Sequence, residues 1–161
     1  MEPLSDIEAI QRLAAAMLAG IVLGFEREWA DKPAGIRTYM LVTQGAALFM
    51  ICALMLSAQV TMFDGTVSDP GRIASTVVQG IGFIAAGVIL TTGGREIIGL
   101  TTAAGLWVAT SIGLLIGAGL YPIALAATIA TVIGLIVLRH FEHQIGSKEK
   151  PEDRDSSTNS G

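Results

Sequence analysis

The chain has 161 residues and a formal net charge of −4. Hydrophobic residues make up 52% of it and charged residues only 15%, with a mean hydropathy of +0.62, whereas soluble domains carry about 25% charged residues. This composition excludes an ordinary water-soluble domain, the pI near 5.0 argues against a nucleic-acid partner, and a single cysteine, Cys52, excludes an intrachain disulfide.

About 20 apolar residues cross a bilayer, and the chain divides on that scale. The first candidate span covers about residues 7–25, with Glu8 and Arg12 in its opening turns. Met1–Asp6 lacks the basic start of a cleaved signal peptide, so the segment is expected to be retained. Next comes Glu26–Arg37, which holds six of the chain's 24 acidic and basic residues and must sit at a water boundary. Its pairs Arg27/Asp31 and Glu28/Lys32 are spaced i, i+4, which predicts that the helix runs a turn past Phe25 before Pro33 ends it. The second span is expected over about 37–58. Asp69 is placed to cap a third span over about 73–90, with Pro70 in its first turn. The charge-free run Ile97–Leu138 is long enough for two crossings, and Gly117-Ala118-Gly119-Leu120-Tyr121-Pro122 supplies the turn between spans over about 100–116 and 121–138. The expected fold is an all-α, polytopic membrane helix bundle of five spans, with a membrane domain over 1–145. The polar tail over 146–161 is expected to be disordered.

Lys and Arg distribution predicts orientation. Five spans put Arg27, Lys32, Arg37, Arg95, Arg139, Lys148, Lys150 and Arg154 on one side, and only Arg12 and Arg72 on the other. Positive residues stay inside, so the N-terminus is expected outside and the C-terminus in the cytoplasm. Because lipid gives apolar helices little reason to associate, close approach through small residues supplies the contact. Candidate packing ridges are Ala16/Gly20/Gly24, Gly105/Ala109/Gly113/Gly117, Ala126/Ala130/Gly134 and Gly80/Gly82/Ala86/Gly87. They leave a compact monomer and a homo-oligomer both open.

Polar residues within the spans are the candidates for function. Arg72, Ser75, Thr76 and Gln79 share one face of the third span at i, i+3, i+4 and i+7. Ser and Thr there could simply bond their own helix backbone; alternatively Arg72 and Gln79, with Gln44 on the face of Arg37, line a hydrated cavity. Glu26 has no opposite charge four residues on and needs a partner, with Arg37, Arg72 and Arg95 the arginines near span ends. Magnesium prefers oxygen ligands, but Glu26, Glu28, Asp31 and Glu96 are each matched by a nearby Lys or Arg. His140 and His143, three apart, suit headgroup contact better than a metal site. No nucleophile–base arrangement, phosphate loop or cofactor signature appears, so neither an enzyme nor a bound cofactor or metal is expected.

Several separated blocks carry a resemblance. Gly20-Ile21-Val22-Leu23-Gly24-Phe25-Glu26-Arg27-Glu28-Trp29, then Pro33-Ala34-Gly35-Ile36-Arg37-Thr38 and Gly45-Ala46-Ala47-Leu48-Phe49, are followed by Arg72-Ile73-Ala74, by Gly80-Ile81-Gly82-Phe83-Ile84-Ala85-Ala86-Gly87-Val88-Ile89-Leu90, and by Gly99-Leu100-Thr101-Thr102-Ala103-Ala104-Gly105-Leu106-Trp107. Over about residues 8–140 these resemble the MgtC/SapB family of bacterial inner-membrane proteins. The resemblance implies a five-span protein connected with magnesium homeostasis and adaptation to low magnesium or acid, acting as a regulator of other membrane proteins. It carries over Glu26, Arg27, Arg37, Arg72 and Gly99–Trp107 as the family's signature, and it implies a short form without the soluble domain that follows the last span in virulence-type members. Two expectations follow. One is a regulator that binds another integral membrane protein through its small-residue ridges and charged loops; the other is a transporter or channel for a small ion or solute around Gln44, Arg72 and Gln79.

Overall fold

A computed structural model describes residues 4–64, 69–92 and 96–146, without the side chains of 61–64, 90–92, 96–97 and 141–146. In chain order the elements are α1 (Asp6–Trp29), α2 (Ile36–Asp64), α3 (Pro70–Val88), β1 (Leu90–Thr92), β2 (Glu96–Ile98), α4 (Leu100–Gly117) and α5 (Tyr121–Gly146). Among the described residues five helices are long and apolar enough to cross a membrane. The protein is an all-α membrane bundle with one short hairpin added.

Local chemistry sets the helix boundaries. Ser5 accepts the Glu8 amide at 3.3 Å and starts α1. Asp69 accepts the Gly71 amide at 2.8 Å with Pro70 in the first turn, as its spacing predicts. The turn after α4 closes by two reciprocal bonds, Gly119 amide to Ile116 carbonyl and Leu120 amide to Leu115 carbonyl, both 2.9 Å. This closure needs a left-handed residue, and Gly119 provides it at φ +81°. The third span stops two residues earlier than expected. Instead of continuing to Leu90, the chain pairs Leu90 with Ile98 and Thr92 with Glu96 in an antiparallel hairpin. Gly99, at φ +91°, turns it into α4, where a Cβ would strike the Val88 carbonyl.

Packing centres on α4. Of its spanning residues 56% are buried, against 6% for α3 and 11% for α5. Leu106, Ala109, Ile112 and Ile116 meet Ala16 and Leu23 of α1, Tyr39 and Ala47 of α2 and Ala124 of α5 in one core. Two of the small-residue ridges make this approach possible. A Cβ on Gly20 would lie 2.6 Å from Met40 Cα, and one on Gly24 would lie 2.5 Å from Ile36 Cα. On α4, a Cβ at Gly105 would collide with the Tyr39 hydroxyl, one at Gly113 would lie 2.8 Å from Ala46 Cβ, and one at Gly117 would lie 2.7 Å from the Ala47 carbonyl. Side chains at these positions would push the helices apart.

The other two ridges pack differently from the expectation. A Cβ on Gly80, Gly82, Gly87 or Gly134 would meet nothing within 4 Å, and Ala126 and Ala130 are exposed. The α5 helix turns Ala124 and Thr128 inward instead, about half a turn away from the alanine ridge. Thr128 remains compatible with an apolar core because its hydroxyl donates to the Ala124 carbonyl at 2.8 Å.

Candidate functional site

At the C-terminal end of α1 the chain buries two opposite charges side by side. Glu26 is 7% exposed and Arg27 3%. Neighbouring residues on a helix point about 100° apart, so they meet only because the two side chains bend together: Arg27 Nε donates to Glu26 Oε2 at 2.6 Å. One oxygen and one nitrogen are left over. Glu26 Oε1 and Arg27 Nη1 are buried without a hydrogen-bond partner, which costs free energy in a low-dielectric setting. The partner that Glu26 requires is therefore its own neighbour, and the i, i+4 pairs of this segment do not form. Asp31 has already left the helix with φ +52°, which ends the spacing rule at Trp29.

Glu28 does other work. Its Oε2 accepts the Ile36 amide at 2.9 Å and so caps α2 from across the loop. Gly35 permits this, because a Cβ there would lie 2.5 Å from that same oxygen. On α2, Tyr39 is fully enclosed between α1 and α4, its hydroxyl 3.5 Å from the Thr102 carbonyl. Thr43, one turn on, donates to the Tyr39 and Met40 carbonyls at 3.0 Å and faces Gly20.

A second buried guanidinium lies near the opposite end of α1. Arg12, 8% exposed, donates through Nη1 to the Gly117 carbonyl at 2.6 Å and through Nη2 to Glu8 at 2.5 Å. Gly117 ends α4, where carbonyls lack helical partners and the helix dipole is negative. Arg12 thus closes the C-terminus of the central helix from another span. Sequence reasoning left it aside as a charge in an opening turn; the signals were an arginine within a largely apolar segment and its i, i+4 spacing from Glu8, the pair that forms.

The remaining candidates are dispersed. Arg37 is exposed at the start of α2 and borders a cleft of about 830 Å³ between α2 and α3. The wall of that cleft is apolar, with Leu41, Phe49, Ile73, Val77 and Ile84 prominent. Gln44 is half-buried, while Arg72 and Gln79 are exposed, and none of the three borders the cleft. Ser75 and Thr76 donate to the Arg72 carbonyl at 2.8 and 3.0 Å, the self-satisfied arrangement that leaves a polar face stable in a span. Arg95 and the polar tail lie outside the described residues, and so does the side chain of His143. No group of three or more His, Cys, Asp or Glu side chains is gathered for a metal among the described residues.

A smaller cleft, about 500 Å³, separates α1 from α5 at the Trp29 end. Glu26 and Arg139 both belong to its wall.

Known proteins place this architecture. The chain is 41% identical over 141 residues to the "Putative magnesium transporter YhiD" of Escherichia coli (strain K12), a match covering 88% of this chain and 65% of the relative. It is 43% identical over 136 residues to "Protein MgtC" of Salmonella typhimurium (strain LT2), covering 84% of this chain and 54% of that one. A third relative, "Uncharacterized protein slr0014" of Synechocystis sp., is 42% identical over 132 residues. The chain thus spans between about half and two thirds of the length of the curated relatives it matches. No solved structure matches. The profile of the MgtC family covers residues 13–144, a stretch that includes the buried Glu26–Arg27 pair, the glycine contacts of α1 and α4, most of the first span and the other four whole, and the chain belongs to that family.

Proposed function

We propose that this protein sits in the bacterial plasma membrane with its N-terminus outside and its C-terminus in the cytoplasm, and that it regulates other membrane proteins in magnesium and acid-stress homeostasis. It performs no chemistry of its own on this reading. The observation that carries it is the open flank of the bundle. Gly80 and Gly45 stand on the two sides of the α2/α3 cleft with nothing against either. In lipid, where apolar side chains alone give helices no reason to meet, small residues around an apolar cleft favour the approach of a further helix. Charge placement supports the same reading. Glu26 already shares its charge with Arg27, which disfavours its use as a ligand for a bare metal ion such as magnesium.

The YhiD relative carries magnesium transport in its name, and movement of a small ion or solute is the competing reading. It has less support, because Arg72 and Gln79 stand exposed outside the apolar cleft that a hydrated path would need. The test is site-specific photo-crosslinking in native membranes, with the reactive group at position 80 and, as the control, at exposed Leu125. An adduct with another integral membrane protein at position 80 alone is the expected result. Equal labelling at both positions, or adducts with lipid only, would sink the regulator reading.

A further inference from the structure

From the α1/α5 cleft we infer a binding site for one zwitterionic phospholipid with a primary ammonium headgroup, of the phosphatidylethanolamine type. The cleft has the size of a small-ligand site, about 500 Å³. Its deeper wall is hydrocarbon, formed by Ile21 and Val22 of α1 with Val132 and Ile136 of α5. Toward the ends of those helices the wall changes character: Phe25 and Trp29 meet at a tilt, 6.0 Å between ring centroids and 55° between planes, and Glu26, paired with Arg27, and Arg139 bring a carboxylate and a guanidinium. Trp29 and Arg139 mark the level where headgroups lie, since Trp favours the interface and Arg139 follows the last apolar residue of its span, Leu138.

The two charges select among lipids. Glu26 Oε1 is buried without a donor, and an ammonium offers three N–H groups to satisfy it. Arg139, which forms no ion pair with a described residue, matches a phosphate through its planar fork. A choline headgroup bears no N–H and leaves Oε1 unsatisfied. An anionic headgroup without an ammonium likewise leaves Oε1 without a donor. Only the zwitterion with a protonated amine answers both groups at once, while its chains continue along the four aliphatic residues.

Trp29 provides the readout. The full chain carrying Trp107→Phe is reconstituted in vesicles that mix unlabelled lipid with acyl-brominated phosphatidylethanolamine, phosphatidylcholine or phosphatidylglycerol, and quenching of Trp29 is titrated. Brominated phosphatidylethanolamine should associate about tenfold more strongly than the choline lipid, the change expected from one charge-assisted hydrogen bond. Glu26→Gln, which keeps the shape, and Arg139→Gln should each bring the two lipids near parity. Ile136→Phe fills the cleft without touching either charge and should do the same, so the test survives if Glu26→Gln fails to fold. Parity in the parent protein would overturn the site, as would a preference for the anionic lipid or one that persists in both charge variants. Insensitivity of Trp29 to every brominated lipid would overturn it too, by showing that a second copy or another helix fills the cleft.

Discussion

The half of the bundle made by α1, α2 and α4 and the flank made by α3 and α5 use the same small residues to opposite ends. In the first, Gly20, Gly24, Gly113 and Gly117 are points of backbone approach and Gly105 admits the Tyr39 side chain, so a side chain at any of them would reach into the next helix. In the second, Gly80, Gly82, Gly87 and Gly134 face open space. The buried charges follow the same division, since Arg12, Glu26 and Arg27 all belong to α1. In one half the ridge glycines are already packed, and the other keeps its small-residue faces available. A small-residue pattern in a membrane sequence identifies faces able to pack; whether they are already packed depends on the neighbours that topology supplies.

Four substitutions test that division, beginning with the largest effect. Gly113→Leu forces a branched side chain against Thr43 and Ala46, and the overlap exceeds the about 1–3 kcal/mol of ordinary overpacking. It should abolish the folded species in mild detergent, as read by size exclusion. Arg27→Met strips Glu26 of its one ion-pair partner among the described residues and should cost about 3 kcal/mol, measured by denaturant titration, whereas Glu26→Leu with Arg27→Met should recover most of the loss. A double variant no better than the single one would mean that the pair is not coupled. Arg12→Gln removes the charged donor from the end of α4 and should cost about 2 kcal/mol by the same titration, with α4 fraying first in hydrogen exchange. Gly80→Leu should change stability by less than about 0.5 kcal/mol, yet remove the protein adduct expected from a reactive group placed at Thr76, which borders the same cleft. A large stability loss there would erase the contrast between the two halves.

Much of this architecture was legible in the sequence. Hydropathy and length located all five helices, and Asp69-Pro70 and the Gly117–Pro122 break set their boundaries by local rules that tertiary packing did not override. The Gly20/Gly24 and Gly105/Gly113/Gly117 ridges were readable because their spacing matches the helical repeat. The α5 alanines carry the same spacing and lie exposed, so periodicity alone could not decide which face turns inward. The charged site was the least legible part. Glu26 and Arg27 are sequence neighbours, which helical geometry would point apart; only burial drives them together. Glu28 reaches Ile36 across a loop, and Arg12 reaches Gly117 from a different span. Such contacts depend on three-dimensional placement, for which a single sequence offers no spacing rule.

The most direct measurement is magnesium flux by the purified chain in sealed liposomes with an internal Mg2+ dye, compared with protein-free vesicles and with Glu26→Gln. A regulator whose only carboxylate in this buried pair is held by Arg27 predicts no flux above the protein-free control, with the protein folded and inserted. Flux that requires Glu26 would contradict the account and make the charged end of α1 part of an ion path.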